Sequence, residues 1–261
     1  MLSFTYGITS LIFDVINKNR EEILTLLSSG KIIGKNPHGG MTRYFDRAIE
    51  ELLIRNLREK GYKGNIVGEE LGINRGITNE WIYIDPLDGS NNVVRKIEYY
   101  CTAVAYAEGG RIEDIKSAVV WDIPRDIFYV AEKAGGAKKI EGGKATKIIP
   151  KREYDIIILD AGFTTKGAYL KEISKIGTFR RLGSIILSSM KVAEGLLEGI
   201  FDVNNLRATD VAAAYLILWE SGAYAYVEPK EVYENPRVKF IAAKNREIYD
   251  TLIQIYEKYK D

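Results

Sequence analysis

The chain has 261 residues, of which 46% are hydrophobic and 28% charged, with a formal net charge of +1. That length allows one large domain or two closely joined halves, and the composition is that of an ordinary globular protein. The balanced charge argues against a nucleic-acid partner, and without an apolar run near the roughly 18 residues of a membrane span, or a basic-then-apolar leader, the expectation is a cytoplasmic protein with no membrane association.

In chain order, Leu11, Ile12, Val15, Ile16, Ile23, Leu26 and Leu27 recur at helical spacing, as do Phe45, Ile49, Leu52, Leu53 and Leu57. Two long helices are therefore expected to open the protein, the second reaching Lys60. The segment between them holds Lys35, Asn36, Pro37, Gly39, Gly40 and the one histidine, His38, and reads as a loop. From Ile66 to Val130 short strands alternate with glycine turns, among them the hairpin signal Glu108-Gly109-Gly110-Arg111. Cys101 stands alone in one of these strands, which excludes an intramolecular disulfide and suits a small buried residue. Past Tyr154 a strand, Asp155 to Asp160, begins a pattern of strands and helices, the helices at about 164–175, 184–198, 210–221 and 245–259. The expected division is an N-terminal α+β sector over 1–150 and a C-terminal α/β sector over 151–261.

The chemistry concentrates in Trp81-Ile82-Tyr83-Ile84-Asp85-Pro86-Leu87-Asp88-Gly89-Ser90-Asn91-Asn92. A continuous apolar run ended by a turn reads as an interior strand, and groups just past such strand ends line clefts. Pro86 keeps Asp85 extended and has a fixed φ of its own, so Asp85 and Asp88 converge. Gly89 permits a tight turn, and a helix beginning there would take Ser90 or Asn91 as its N-cap and turn free amides toward the acids. Two carboxylates about 5 Å apart repel by roughly 3 kcal/mol at an effective dielectric near 20. A divalent cation removes that penalty and a phosphate on the amides completes the arrangement.

Asp-Pro and Asp-Gly are also common turn dipeptides, so this block alone leaves an ordinary acidic turn as an equal reading. Three further features shift the balance. Glu69 and Glu70 follow a second short strand, Asn65-Ile66-Val67, and Asp210 opens the strongly helical Val211 to Ser221, while Asp46 lies on or beside the second helix.

Together with Phe128-Tyr129-Val130-Ala131-Glu132-Lys133-Ala134-Gly135-Gly136-Ala137, Arg181-Leu182-Gly183-Ser184 and Thr209-Asp210-Val211-Ala212-Ala213-Ala214, these blocks carry a family likeness. In order and approximate spacing, and over nearly its whole length, the sequence resembles the inositol monophosphatase and fructose-1,6-bisphosphatase superfamily. The resemblance implies an α+β fold, a five-layer αβαβα sandwich with the site where the two sectors meet, and a homodimer. It implies a lithium-sensitive hydrolase of a small-molecule phosphate ester, inositol-1-phosphate or fructose-1,6-bisphosphate, that needs two or three Mg2+ per subunit, with Mn2+ as a substitute.

Position by position, the resemblance makes Glu69, Asp85, Asp88, Asp210 and the Leu87 carbonyl the metal ligands, with Glu70 one layer behind them among the catalytic residues. Asp46 and Ser90 match the pair that orients and activates the attacking water, a position where many relatives have threonine in place of Ser90. The amides of Gly89, Ser90 and Asn91 match the phosphate cradle, and Thr164, Arg181, Gly183 and Ser184 fall on the substrate side. Composition and the same resemblance suit a metal-dependent lid over 31–45, carrying Asp46. Leu206-Arg207-Ala208-Thr209-Asp210 departs from the Trp-Asp of many inositol phosphatases, and Phe201-Asp202-Val203-Asn204-Asn205 lacks their glutamate for inositol hydroxyls. The wording looks more like the branch with both activities, in which Arg207 would fork onto a second phosphate; the plainer reading is a salt bridge to Asp202.

Haloacid dehalogenase-type phosphatases also use strand-end aspartates, but theirs stand two apart, whereas Asp85 and Asp88 are three apart with a proline between them. That spacing favours attack by metal-activated water over an aspartyl-phosphate intermediate. Two alternatives stay open: a 3′(2′),5′-bisphosphate nucleotidase of the same superfamily, and a catalytically idle sugar-phosphate-binding protein.

Overall fold

The computed structural model describes residues 4–28, 31–36, 41–151, 153–162 and 166–260, so Thr164 and His38 lie outside the described residues. The first expected helix is two, α1 (Gly7–Lys18) and α2 (Arg20–Leu26). The break falls at Asn19, whose backbone leaves the helical region at φ −98 and ψ 9. Its side-chain Nδ2 donates to the Val15 carbonyl at 2.7 Å, an asparagine competing with the helix's own ladder. The segment read as a loop holds an antiparallel pair, β1 (Ile32–Lys35) and β2 (Met41–Arg43), ahead of α3 (Tyr44–Glu59).

Then follow β3 (Asn65–Gly68), β4 (Gly72–Asn74), β5 (Trp81–Asp88), α4 (Ser90–Arg95), β6 (Cys101–Ala107), β7 (Ile115–Asp122), β8 (Ile127–Glu132), β9 (Gly136–Glu141) and β10 (Lys144–Lys147). These strands form one sheet in the order β10-β9-β8-β7-β6-β5-β3-β4, with β3 and β5 its one parallel pair. The second sheet, β12-β11-β13-β15-β14, is built from β11 (Ile158–Ala161), β12 (Thr178–Arg180), β13 (Gly199–Arg207), β14 (Tyr224–Glu228) and β15 (Arg237–Ala243). Its helices are α5 (Gly167–Ile176), α6 (Ile185–Ala193), α7 (Ala208–Ser221) and α8 (Arg246–Lys258). β11 is shorter than the expected strand, and α6 stops before Gly195, whose φ of 72 no helix accommodates.

Period-two alternation along β5 sends its side chains into two different cores. Ile82 and Ile84 pack with Ile12, Ile49 and Leu53 of the outer helices, while Tyr83 on the opposite face packs among Ile186, Met190, Leu216 and Leu218. The second sheet meets the same central helices through Phe240 and Ala242, and its far face packs Leu159, Phe201 and Ile241 against Tyr169, Leu252 and Tyr256. The layers therefore run helix, sheet, helix, sheet, helix: the α+β five-layer sandwich. α7, enclosed by both sheets, is buried on nearly all sides and apolar all round, as such a position demands. No helix among the described residues is long and apolar enough to cross a membrane.

Candidate active site

The site begins with the parallel pair. Gly68 pairs with Ile84, so the next residues, Glu69 and Asp85, leave the two strands at the same level. Beyond Asp85 the pairing with β6 bulges, from Asp85 opposite Ala103 to Asp88 opposite Cys101. Pro86, which has no amide to give a ladder, sits inside this bulge and the chain re-aims Asp88. Asp85 Oδ1 accepts the Leu87 N–H at 3.0 Å, which fixes the turn from within. Asp210 comes from the other sheet's connection: its Oδ2 accepts the Arg207 N–H at 2.8 Å in the first turn of α7. The result is a cluster in which one carboxylate oxygen each of Glu69, Asp85 and Asp210 lies within 4.8 Å of the others.

These groups face a cavity of about 520 Å³ lined by eight carboxylates and three arginines. Lining residues Asp46, Ser90, Ile185 and Asp210 each belong to the first turn of a helix, α3, α4, α6 and α7, so positive helix ends converge on the negative cluster and offset part of its repulsion. The offset is incomplete. Burial, and then the Asp210 charge, hold Glu69 well above the ordinary carboxylate range, and burial followed by Glu69 does the same to Asp85. Burial pushes Asp88 up to about 7 and Asp210 up to about 6. Asp46 is pushed up to about 8 by burial and by the neighbouring Glu70, and its buried Oδ1 has no hydrogen-bond partner. Hard oxygen donors, crowded, raised in pKa and with one orphaned oxygen among them, fit a divalent cation.

A model of the inositol monophosphatase family matches residues 14–261. The chain belongs to that family. A Thermococcus kodakarensis protein named fructose-1,6-bisphosphatase/inositol-1-monophosphatase is 28% identical over 243 residues, 90% of this chain and 91% of its own. A Salmonella typhimurium protein named Nus factor SuhB is 32% identical over 192 residues, 68% of each chain. Among solved structures, a Pyrococcus horikoshii protein described as having similarities to inositol-1 monophosphatase is 25% identical, with a TM-score of 0.76 over 94% of this chain and 96% of that one.

Within this inositol monophosphatase fold, Asp46, Glu69, Glu70, Asp85, Leu87, Asp88, Gly89, Ser90, Asn91, Arg181, Gly183, Ser184, Arg207 and Asp210 all line the one cavity. Asp88 is tied to α6, its Oδ2 accepting the Ser184 hydroxyl and the Ile186 N–H, both at 2.7 Å. Ser184, 1% exposed, also accepts the Leu187 N–H at 3.2 Å, so its hydroxyl holds a carboxylate and caps a helix. Glu70 accepts the Thr42 hydroxyl, which ties β2 to the acid cluster. The N-cap of α4 is Gly89 itself, in place of Ser90 or Asn91. At φ 93 its Cβ-less backbone passes where a side-chain carbon would lie 2.8 Å from the Tyr99 carbonyl. Gly89→Ala is therefore expected to lower stability by about 1–3 kcal/mol, checked by urea unfolding.

Asp160, Asp202 and Arg237 also line the cavity and were not among the expected site residues. Asp160 accepts the Ser188 hydroxyl, and Gly162 owes its lack of a side chain to Asp202, whose Oδ2 would lie 1.9 Å from a Cβ there. Asp160 did carry a signal, an acid ending the apolar Ile156-Ile157-Ile158-Leu159, the same pattern that marked Asp85.

Proposed function

We propose that this chain is a phosphomonoesterase that hydrolyses small sugar or polyol phosphates, inositol-1-phosphate or fructose-1,6-bisphosphate, with Mg2+, two or three ions per subunit, and with Mn2+ as a substitute. The observation that carries the reading is the meeting of Glu69, Asp85 and Asp210 within 4.8 Å of one another. Those carboxylates, with Asp88 and the Leu87 carbonyl, would hold the metal. When bound, the metal supplies positive charge to the phosphoryl and leaving-group oxygens and makes water a stronger acid.

The chain's own residues account for the rest. The Ser90 hydroxyl orients a water, and Asp46 accepts its proton at Oδ1, the oxygen that lacks a partner. Burial and the neighbouring Glu70 raise the proton affinity of Asp46 above that of an ordinary aspartate, which makes its ionised form the better proton acceptor. Glu70 steadies this end of the site through Thr42. The amides of Gly89, Ser90 and Asn91 would hold the phosphoryl oxygens, and Arg181 and Gly183, which line the same cavity, would meet the ester's alcohol portion, while the Ser184 hydroxyl is taken up by Asp88.

Arg207 supports a substrate with a second anion. It pairs across β13 and β15 with Arg237, both line the cavity, and the Arg207 guanidinium donates to the Asn235 carbonyl at 3.1 Å. Two cross-strand guanidiniums repel, and a second phosphate between them relieves that repulsion. Arg207→Ala is expected to lower kcat/KM on fructose-1,6-bisphosphate by about 10- to 100-fold, the loss of one charged hydrogen-bond pair, and on inositol-1-phosphate by far less. Equal losses on both esters would remove Arg207 from the second-phosphate role.

A homodimer belongs to the same reading on family resemblance alone, and a cytoplasmic setting on the sequence pattern. One relative is named a Nus factor, which keeps the idle binding scaffold as the second reading. Phosphate release from inositol-1-phosphate, fructose-1,6-bisphosphate and adenosine 3′,5′-bisphosphate, with and without Mg2+, separates them. Magnesium-dependent release from either of the first two supports the enzyme, selective release from the third would favour a nucleotidase, and release from none would favour the scaffold.

A further inference from the structure

Glu50 belongs to no motif of the sequence and lies behind the cavity, on α3, one helical turn after Asp46. It is 0% exposed. Its carboxylate accepts two backbone amides from the turn that follows β3: the Glu70 N–H at 2.8 Å on Oε2 and the Leu71 N–H at 2.9 Å on Oε1. Gly68 closes the fit from the other side, since a Cβ there would lie 1.8 Å from Glu50 Oε1. The turn that presents Glu69 and Glu70 is thus wrapped around a single buried carboxylate, and only a glycine at its start leaves room for it.

The helix spacing gives this contact its consequence. Residues four apart on a helix project from one flank, so α3 aims Asp46 at the cavity and Glu50 at the turn behind it. One rigid element therefore sets both the expected proton acceptor and the backbone that carries a metal-cluster oxygen. The two amides satisfy carboxylate oxygens that burial would otherwise make costly to desolvate.

We propose that Glu50 is a positioning residue: through two backbone amides it holds Glu69 and Glu70 at a fixed station relative to Asp46, so that metal affinity depends on a carboxylate outside the cavity. This rests on the reading above that Glu69 helps to hold a divalent cation. The protein contains its own control. Glu132 is 5% exposed and does the same backbone task elsewhere, accepting the Thr5 and Tyr6 N–H groups at 2.8 and 2.7 Å, and it does not line the cavity.

The test is calorimetric titration of the full chain with Mn2+, without substrate, beside thermal unfolding and steady-state kinetics on inositol-1-phosphate. Glu50→Gln keeps the side chain's size but turns an NH2 toward one of the two amides. It is expected to weaken Mn2+ binding by about 10- to 100-fold, the scale of a lost partner behind a ligand, and to raise the metal concentration for half-activation more than it lowers kcat at saturating metal. Glu132→Gln is expected to lower the unfolding temperature with Mn2+ affinity unchanged. Gly68→Ala, which displaces the Glu50 carboxylate without touching it chemically, should reproduce the Glu50→Gln defect, and the double variant should add little to either.

Wild-type affinity in Glu50→Gln, or equal weakening in Glu132→Gln, overturns the proposal. If neither Glu50→Gln nor Gly68→Ala folds, Glu50 is a folding residue and the proposal is wrong. Wild-type protein that fails to bind Mn2+ instead refutes the metal site of the proposed function, a different result from tight wild-type binding with an indifferent Glu50→Gln.

Discussion

Asp85→Asn is expected to remove turnover and, in the same step, to make the metal-free protein more stable. Asp85 is 2% exposed, and burial, then Glu69, then Asp88, hold its carboxyl well above the ordinary range. The strongest charges acting on it, Glu69, Asp88, Asp210 and Asp46, are all carboxylates. An asparagine keeps the size and the oxygen that accepts the Leu87 N–H while deleting the buried charge. Relief of about 1 kcal/mol would raise the unfolding temperature by roughly 2–4 °C in a chain of this size. Activity should fall by at least about a hundredfold, since even partners behind a ligand are worth that much to a metal site. Addition of Mg2+, which should raise the wild-type unfolding temperature, should do little for the variant. A variant less stable than wild type in chelator would show that packing, and not repulsion, dominates at Asp85.

The pH dependence of the metal-free protein should run against that of most proteins. Asp46 is pushed up to about 8, Asp88 to about 7 and Asp210 to about 6, all above the ordinary value of 3.8, and burial is the first cause of each. Between those ordinary and raised values the folded chain binds more protons than the unfolded one. Stability is then greatest at the acid end of the window and is lost as pH rises through the raised values. In chelator the unfolding temperature should fall between about pH 5 and pH 8. A divalent cation takes the place of the protons, so its stabilising increment should be largest near pH 8 and shrink toward pH 5, as carboxylates protonate. A midpoint that climbs with pH in chelator would contradict the raised values.

Much of this was legible in the residues because the strongest signals are local. The run from Trp81 to Ile84 is apolar and uninterrupted, and it forms the buried strand that it suggests, which continues through Pro86 to Asp88. The helical spacing of Phe45, Ile49, Leu52, Leu53 and Leu57 survives as α3. What failed was local competition or long-range register. Asn19 breaks a helix whose apolar periodicity continues across it, a side-chain bond that hydrophobic spacing does not weigh. β1 and β2 pair Lys35 with Met41 and Ile32 with Arg43, and neither strand's own pattern announces its partner. Arg237 enters the cavity only because β15 pairs with β13, and no local feature of its segment announces that.

Glu50 is the instructive omission. It stands in the α3 pattern beside Ile49, at a position that the apolar stripe leaves on its flank, and four residues from Asp46. An acid pair at helical spacing along the edge of a buried stripe is a readable signal, because burying two like charges on one flank needs partners that a solvated face does not. Asp202 had the opposite difficulty. Its partner in shape is Gly162, forty residues earlier, and only the parallel pairing of β11 with β13 brings the two together.

The central claim is that oxygens of Glu69, Asp85 and Asp210 form a cation site. Crystals soaked in Mn2+ and examined by anomalous scattering test it directly. The account predicts a strong manganese peak among those three carboxylates, lost in Asp85→Asn. Manganese bound only elsewhere on the molecule, or absent at millimolar concentration from a site whose carboxylates are ordered, would contradict it.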